Sequence, residues 1–471
     1  MKVEQIYTGC IAHAAYYIES NGEASIFDPL REVQPYIDKA TKDGAEIKYV
    51  FETHFHADFV SGHLDLANKT GAQIVFGPTA KPGFEALIAA DNQIFKIGNY
   101  QVKVLHTPGH TMESTTYLLV DENEEMHGII TGDTLFIGDV GRPDLAQHVI
   151  EDLTEEKLAA HLYDSLRNKI LPLPNHLIVY PNHGAGSACG KMMSNETTDT
   201  LGNQKATNYA LQDMTKEEFI EKLLDGLTAP PGYFPKNVLM NIQGYESIDD
   251  VIDRGEQPLE ADAFEAAANE TGALILDTRE AENFKEGFIP NSINIGLDSN
   301  FAMWVGELIP DIKQQILLVT EPGKEEESII RLARVGYDHA IGYLKGGFDT
   351  WKKANRETDQ VNRLDVDEFL ANFNNDEIKV FDVRKKSEFD SQHLIGAENT
   401  PLNQINEYLA EFPKDKKFAI HCAGGYRSMI ASSILKQRGW DNFVDVRGGF
   451  DEIKEHKDAQ VTAYVCPTTL L

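Results

Sequence analysis

Short apolar runs rich in β-branched and aromatic residues punctuate the first half of the chain, and loops bearing Gly, Pro or His follow them. Tyr49-Val50-Phe51, Gln101 to Leu105, Gly128-Ile129-Ile130-Thr131 and Leu177-Ile178-Val179-Tyr180 each read as a buried strand. Glu155 to Leu166 and Lys216 to Leu227 carry apolar residues at helical spacing. At Ala229-Pro230-Pro231-Gly232-Tyr233-Phe234-Pro235 the pattern breaks, which predicts a loop that closes over a site or leads out of a first domain, residues 1–245. Beyond it the pattern repeats. Leu276-Asp277-Thr278-Arg279 matches Phe381-Asp382-Val383-Arg384, Phe288-Ile289-Pro290-Asn291-Ser292 matches Leu394-Ile395-Gly396-Ala397-Glu398, and Gly346-Gly347-Phe348-Asp349 matches Gly448-Gly449-Phe450-Asp451. Residues 259–355 and 363–458 therefore each predict a small α/β domain with a largely parallel sheet, with 459–471 left as a tail.

Composition sharpens this picture only at its edges. A chain of 471 residues with 42% hydrophobic and 25% charged content predicts two to four ordinary globular domains. No apolar run approaches the ~20 residues that span a membrane. Met1-Lys2-Val3-Glu4 leads straight into strand-like sequence without a signal-peptide pattern. Cys10, Cys189, Cys422 and Cys466 are too few and scattered for a disulfide framework, so a cytoplasmic protein with reactive thiols is expected. The net charge of −32 argues against nucleic acid or an anionic membrane as partner and otherwise reads as solubility.

Candidate chemistry begins at Thr53-His54-Phe55-His56-Ala57-Asp58-Phe59, where two histidines and an aspartate share one short loop after a strand. The other three strands lead into Thr107-Pro108-Gly109-His110-Thr111, Gly132-Asp133-Thr134 and Pro181-Asn182-His183-Gly184. Four such loops at strand ends in one domain point to a metal site. Near the C-terminus, Lys417 to His421 reads as a strand that ends at Cys422, followed by Ala423-Gly424-Gly425-Tyr426-Arg427-Ser428 and a helix through about Gln437. Small residues let the backbone curl its N–H groups around the sulfur. The helix N-terminus and Arg427 add positive charge, an environment expected to lower a thiol pKa and favour a thiolate or persulfide.

The first series of loops resembles the metallo-β-lactamase fold, which implies an αββα sandwich over residues 1–245 with metal at one sheet edge. Two-metal members of that fold have a histidine directly after the first-loop aspartate, and this chain has Phe59 there. The resemblance therefore implies a weak or absent second site. It leaves His54, His110 and Asp133, a set that suits one non-haem Fe(II) per chain and resembles the persulfide dioxygenase branch. His56, Asp58 and His183 are expected close behind these ligands or as weak ligands, and His63 as structural. Arg142, in Gly141-Arg142-Pro143-Asp144, is the candidate to hold an anionic substrate. Cys189 has two open readings, a contact or relay for substrate sulfur and a small packed side chain.

The Cys422 region resembles rhodanese sulfurtransferases through Asp382-Val383-Arg384, the Cys-x4-Arg loop and Gly448-Gly449-Phe450, and makes Cys422 and Arg427 the catalytic pair with Asp382 and Arg384 beside substrate. In the first repeat Glu321 stands where Cys422 stands in the second, inside the acidic stretch Glu321 to Glu327, which predicts a non-catalytic rhodanese-like copy. Together the resemblances imply α/β architecture throughout. They also imply a persulfide dioxygenase acting on a glutathione, coenzyme A or similar persulfide with dioxygen. Sulfur transfer to or from sulfite and thiosulfate would be coupled to it, in sulfide detoxification and in a homo-oligomer. A glyoxalase II-like dinuclear zinc thioester hydrolase is the leading alternative, and a non-catalytic sulfur carrier or scaffold is another.

Overall fold

A computed structural model describes residues 2–145, 153–227, 229–297, 300–373 and 378–466. The chain forms two compact units, Met1–Asp250 with Ile330–Tyr337, and Val251–Ile329 with Asp338–Leu471.

The first unit is built on two six-stranded sheets. One orders Lys2–Thr8, His13–Ser20, Glu23–Phe27, Glu46–Phe51, Gln73–Phe76 and Leu87–Ile88. The other orders Asp199–Thr200, Ile178–Pro181, Met126–Gly132, Thr115–Val120, Tyr100–His106 and Ile94–Ile97. Both are mixed: Glu23–Phe27 runs parallel to Glu46–Phe51, and Met126–Gly132 parallel to Ile178–Pro181. Side-chain alternation splits the inner strands between two cores. Tyr16, Ile18, Phe51, Val104, Tyr117 and Ile130 meet in one core, to which both sheets contribute. Ala15, Tyr17, Ile26 and Val50 point the other way, onto Tyr36, Ala40 and Leu66 of the helices Gln34–Asp43 and His63–Thr70. Leu118, Ile129 and Val179 of the second sheet pack on Ala159, Leu162, Phe219 and Leu223 of Glu155–Ser165 and Lys216–Leu224. Inner strands such as His13–Ser20 and Thr115–Val120 are covered on both faces, whereas the edge strand Ile94–Ile97 alternates buried and exposed positions. Each fully buried Leu, Ile or Phe adds roughly 1.5–3 kcal/mol to the layering.

The second unit contains two five-stranded sheets of identical order. Pro258–Leu259, Ala340–Leu344, Ile316–Val319, Leu274–Asp277 and Ile293–Asn294 form the first. Arg363–Leu364, Phe443–Val446, Phe418–His421, Lys379–Asp382 and Glu398–Asn399 form the second. Every pairing in both is parallel, and all residues of the central strands Ile316–Val319 and Phe418–His421 are buried. The duplication extends to the end of each repeat: Asp359 bridges Phe288, and Val461 bridges Leu394. The expected tail therefore begins as part of the second repeat, and its last residues, 467–471, lie outside the described residues.

Two expectations about elements change. The stretch read as a loop through Pro235 opens a helix, Phe234–Gln243, because a proline in the first helical turn gives up no needed N–H. The helix from Glu155 ends at Ser165 and continues as a single wider turn, Leu166–Ile170. Among the described residues no helix is long and apolar enough to cross a membrane.

Candidate metal centre and sulfur-transfer loop

The strand Glu46–Phe51 delivers Glu52 and Thr53 to the sheet edge, where Asp28, just beyond the neighbouring strand, receives them. Asp28 Oδ1 accepts from the Thr53 N–H at 2.7 Å and from its hydroxyl at 3.2 Å, and Oδ2 accepts from the Asn182 amide at 2.9 Å. Gly132, with φ +53°, passes so close that a Cβ there would sit 2.6 Å from Thr53 Oγ1, so only glycine lets the two loops meet. Asn241, on the helix Phe234–Gln243, donates to the carbonyls of His56 and Phe59 and accepts from the Ser61 N–H, which pins the loop from behind.

This scaffold gathers His54, His110 and Asp133, all buried, with their donor atoms within 4.8 Å of one another. His54 Nε2 is 3.9 Å and His110 Nε2 3.4 Å from Asp133 Oδ2. His110 donates through Nδ1 to the Arg142 carbonyl at 2.7 Å, which assigns the lone pair to Nε2. Thr53 Oγ1, whose proton goes to Asp28, receives His54 Nδ1 at 3.0 Å and fixes the same tautomer. Burial, followed by the neighbouring His56 and His110, holds the His54 imidazole well below its ordinary pKa and therefore neutral. Neither Asp133 oxygen has a hydrogen-bond partner among the described residues. A buried carboxylate is not left so without a counter-charge, and two imidazole lone pairs facing it complete a donor set that fits a divalent cation.

The other loop residues take distinct places. His56 turns its Nε2 to Asp28 Oδ1 (3.0 Å) and Glu52 Oε2 (3.4 Å). Burial alone would lower its pKa, but these carboxylates outweigh it and raise it well above its ordinary value, so the Nε2 edge of His56 faces the charge network. His63 lies 3.5 Å from Glu52 in the same network, at the first position of its helix. Phe59 packs its ring on those of His13 and His56, at 4.3 and 4.4 Å. Asp58, His183 and Cys189 form a second group of donor atoms, with His183 Nε2 3.5 Å from Asp58 and 3.6 Å from Asp133 Oδ1. Burial, then the charges of Asp58 and Asp133, raises the Cys189 thiol well above its ordinary pKa.

Arg142 departs from its expected role. Its guanidinium grips Asp144 with two 2.6 Å bonds and is buried, so its charge is compensated, and what it gives the centre is its carbonyl. Beside His110 opens a cavity of about 410 Å³, walled by Phe55, Ala57, Met112, Leu145, Val238 and Ile242, with Lys81 as the cation on its wall. Sequence patterns offered no signal for Lys81, Asp28, Glu52 or Asn241, none of which sits in a recognisable motif.

In the second unit Cys422 lies directly beyond the strand Phe418–His421, and Gly425, with φ +105°, turns its N–H onto the sulfur at 3.1 Å as the helix Tyr426–Gln437 begins. The Cys422 carbonyl accepts from the Phe450 N–H at 2.7 Å, and a Cβ on Gly449 would sit 2.5 Å from that carbonyl, which explains the Gly448-Gly449-Phe450 motif. Arg427 lines the same cavity as Cys422 and bonds Glu388 at 2.5 and 2.9 Å. Asp382 and Arg384, expected beside substrate, pair with each other instead, with Arg384 stacked on Phe450 at 3.9 Å. Asp277, Arg279 and Phe348 repeat that arrangement in the first copy, so it braces the fold. Glu321 stands at the cysteine position there, its carboxylate accepting from Asn283 at 2.8 Å.

The chain matches the Metallo-beta-lactamase superfamily over residues 8–183 and the Rhodanese-like domain over residues 260–354 and 365–456. A probable hydroxyacylglutathione hydrolase of Schizosaccharomyces pombe is 30% identical over 183 residues, 38% of this chain and 66% of that protein, so the chain spans just under two thirds of it. A mitochondrial persulfide dioxygenase of Mus musculus is 29% identical over 210 residues, 44% of this chain and 73% of that protein. A solved metallo-β-lactamase structure from Staphylococcus aureus subsp. aureus COL is 32% identical, with TM-score 0.64, covering 73% of this chain and 99% of that one. With the paired sheets, the histidine and aspartate loops at their edge and the duplicated parallel domains that follow, the chain is a member of the metallo-β-lactamase superfamily carrying two rhodanese-like domains.

Proposed function

We propose that the first unit is a persulfide dioxygenase that holds one Fe(II) through His54, His110 and Asp133, and that Cys422 transfers sulfane sulfur. The observation that carries this reading is the convergence of two imidazole lone pairs on an unpartnered buried carboxylate, while Phe59 packs where a further histidine would serve a second metal. Two histidines and one carboxylate leave coordination positions open, and iron bound there supplies the redox capacity for dioxygen chemistry on a thiolate substrate.

The chain's own residues do the rest. Thr53 and the Arg142 carbonyl orient the two rings, and the apolar cavity beside His110 excludes water from the reacting sulfur. Lys81 attracts the anionic end of a low-molecular-weight persulfide of glutathione, coenzyme A or a similar thiol. The overall change is R–S–SH + O₂ + H₂O → R–SH + SO₃²⁻ + 2H⁺, in which the outer sulfur supplies the four electrons that reduce dioxygen. Cys422 then passes sulfur to sulfite, Cys–S–S⁻ + SO₃²⁻ + H⁺ → Cys–SH + S₂O₃²⁻, or runs in reverse. Sulfide detoxification is the setting this chemistry suits.

A second reading, thioester hydrolysis at two metals, draws on the additional donor group Asp58, His183 and Cys189 and on the similarity to a hydroxyacylglutathione hydrolase. Anaerobic purification followed by metal counting and oxygen uptake with glutathione persulfide and coenzyme A persulfide separates the two. One iron per chain and oxygen uptake that disappears in Asp133→Ala are expected. Two metals per chain with oxygen-independent cleavage of a glutathione thioester would overturn the dioxygenase reading.

A further inference from the structure

The Cys422 loop does not build its cavity alone. The space beside the sulfur, about 420 Å³, is walled on one side by Lys385, Glu388 and Arg427 of the second repeat, and on the other by Met303 and Trp304 of the first. Both wall residues lie on the helix Phe301–Leu308, with Trp304 buried and Met303 half-buried. The repeats are fastened around this space: the Tyr426 hydroxyl donates to the Gly296 carbonyl at 2.9 Å, and the Asn294 N–H donates to the Ser433 hydroxyl at 3.0 Å.

Size and charge both bear on what the cavity takes. Pockets of roughly 300–1,000 Å³ hold organic molecules, and a sulfite or thiosulfate ion would fill only a corner of one. Arg427, the residue placed to meet an inorganic anion, has both terminal nitrogens engaged by the Glu388 carboxylate. That leaves Lys385 as the other cation on the wall. Facing it, an indole and a thioether offer a polarizable apolar surface suited to an organic arm.

We propose that the helix Phe301–Leu308 of the thiol-less first repeat is the donor-recognition wall of the Cys422 site, where Met303 and Trp304 hold the organic part of a low-molecular-weight persulfide. The proposal rests on the reading of Cys422 as a sulfur carrier and names what loads it. The Cys422 thiolate attacks the outer sulfur of R–S–SH, and the donor's S–S bond breaks as the new one forms. R–S⁻ departs to take a proton from solvent, and Cys422 is left as its persulfide. Two sulfur–sulfur bonds exchange, and no oxidant or reductant is consumed. The first repeat, which has no cysteine of its own, thus supplies half of a binding site.

The test uses the full chain under anaerobic conditions, so that no oxygen chemistry competes. Cys422 loading is followed by rapid alkylation and intact mass after mixing with glutathione persulfide or with thiosulfate. Met303→Ala and Trp304→Ala are expected to slow loading from glutathione persulfide roughly tenfold while changing loading from thiosulfate by less than about twofold. Equal slowing with both donors, no slowing with either, or wild-type loading faster from thiosulfate than from glutathione persulfide would each overturn the proposal. Trp304 is buried, so if its alanine variant misfolds, Met303→Ala and Trp304→Phe carry the same comparison. Absence of any mass gain on wild-type Cys422 with either donor would instead remove the sulfur-carrier reading itself.

Discussion

Arg142 spends its fork on Asp144, two residues along, and lends the metal centre a carbonyl, whereas Lys81 brings an ammonium to the cavity beside His110. Lys81→Ala is expected to raise the KM for an anionic persulfide about fivefold with kcat little changed, the loss of one partly screened charge contact. Arg142→Lys keeps the charge but cannot make two parallel bonds, so it is expected to lower thermal stability and metal content with KM unchanged. Steady-state kinetics on both variants checks this division, and equal KM effects would contradict it. The grouping of His54, His110 and Asp133 was legible in the sequence because all three ride on short loops at strand ends, where a pattern of runs and turns exposes them. Asp28 and Asn241 were not, because they act through hydrogen bonds to residues 25 and 185 positions away and belong to no local pattern. Arg142 misled for the complementary reason: its partner Asp144 was in view, but the pairing geometry was not.

At the scale of elements, the Glu388–Arg427 pair joins the helix Lys386–Ser391 to the helix Tyr426–Gln437. Burial would raise the Glu388 pKa, but Arg427 outweighs it and holds the carboxyl below its ordinary value. A depressed folded pKa contributes stability above the unfolded carboxyl pKa of about 4.3, and that contribution is lost as pH falls below it through the folded value. The Tm difference between wild type and Glu388→Gln, followed by calorimetry, should be present at pH 7 and close as pH falls below about 4. A difference that persists at low pH would show that the glutamine acts through packing. Elements covered on both faces, such as Ile316–Val319 and Phe418–His421, were readable as apolar runs. The helix Phe234–Gln243 was not, because Pro235 reads as a breaker until its place in the first turn is known. Two-residue strands such as Pro258–Leu259 and Glu398–Asn399 carry too few positions to show any period.

For the whole molecule, duplication was plain from the paired motifs, but the chain's division into compact units was not. Ile330–Tyr337, which falls within the first rhodanese-like match, is counted with the first unit. There Arg31 donates to the Ala333 carbonyl, the Val60 N–H donates to the Arg334 carbonyl at 2.7 Å, and the Arg334 side chain pairs with Glu32. A chain ending at Asp250 leaves the buried Val60 and Arg31 donors without these partners, at a cost of about 1–3 kcal/mol each. Such a truncated protein is expected to melt below the corresponding transition of the full chain and to retain less metal, by calorimetry and elemental analysis. Equal values would mean that water replaces both carbonyls. The same feature sets an order of events during synthesis. His54, His110 and Asp133 leave the ribosome well before Arg334, and at roughly 5–20 residues per second the intervening stretch takes on the order of ten seconds to make. For that interval the loop after Phe59 exists without its last backbone bond, so metal acquisition that depends on a finished loop is a late event in the life of each chain.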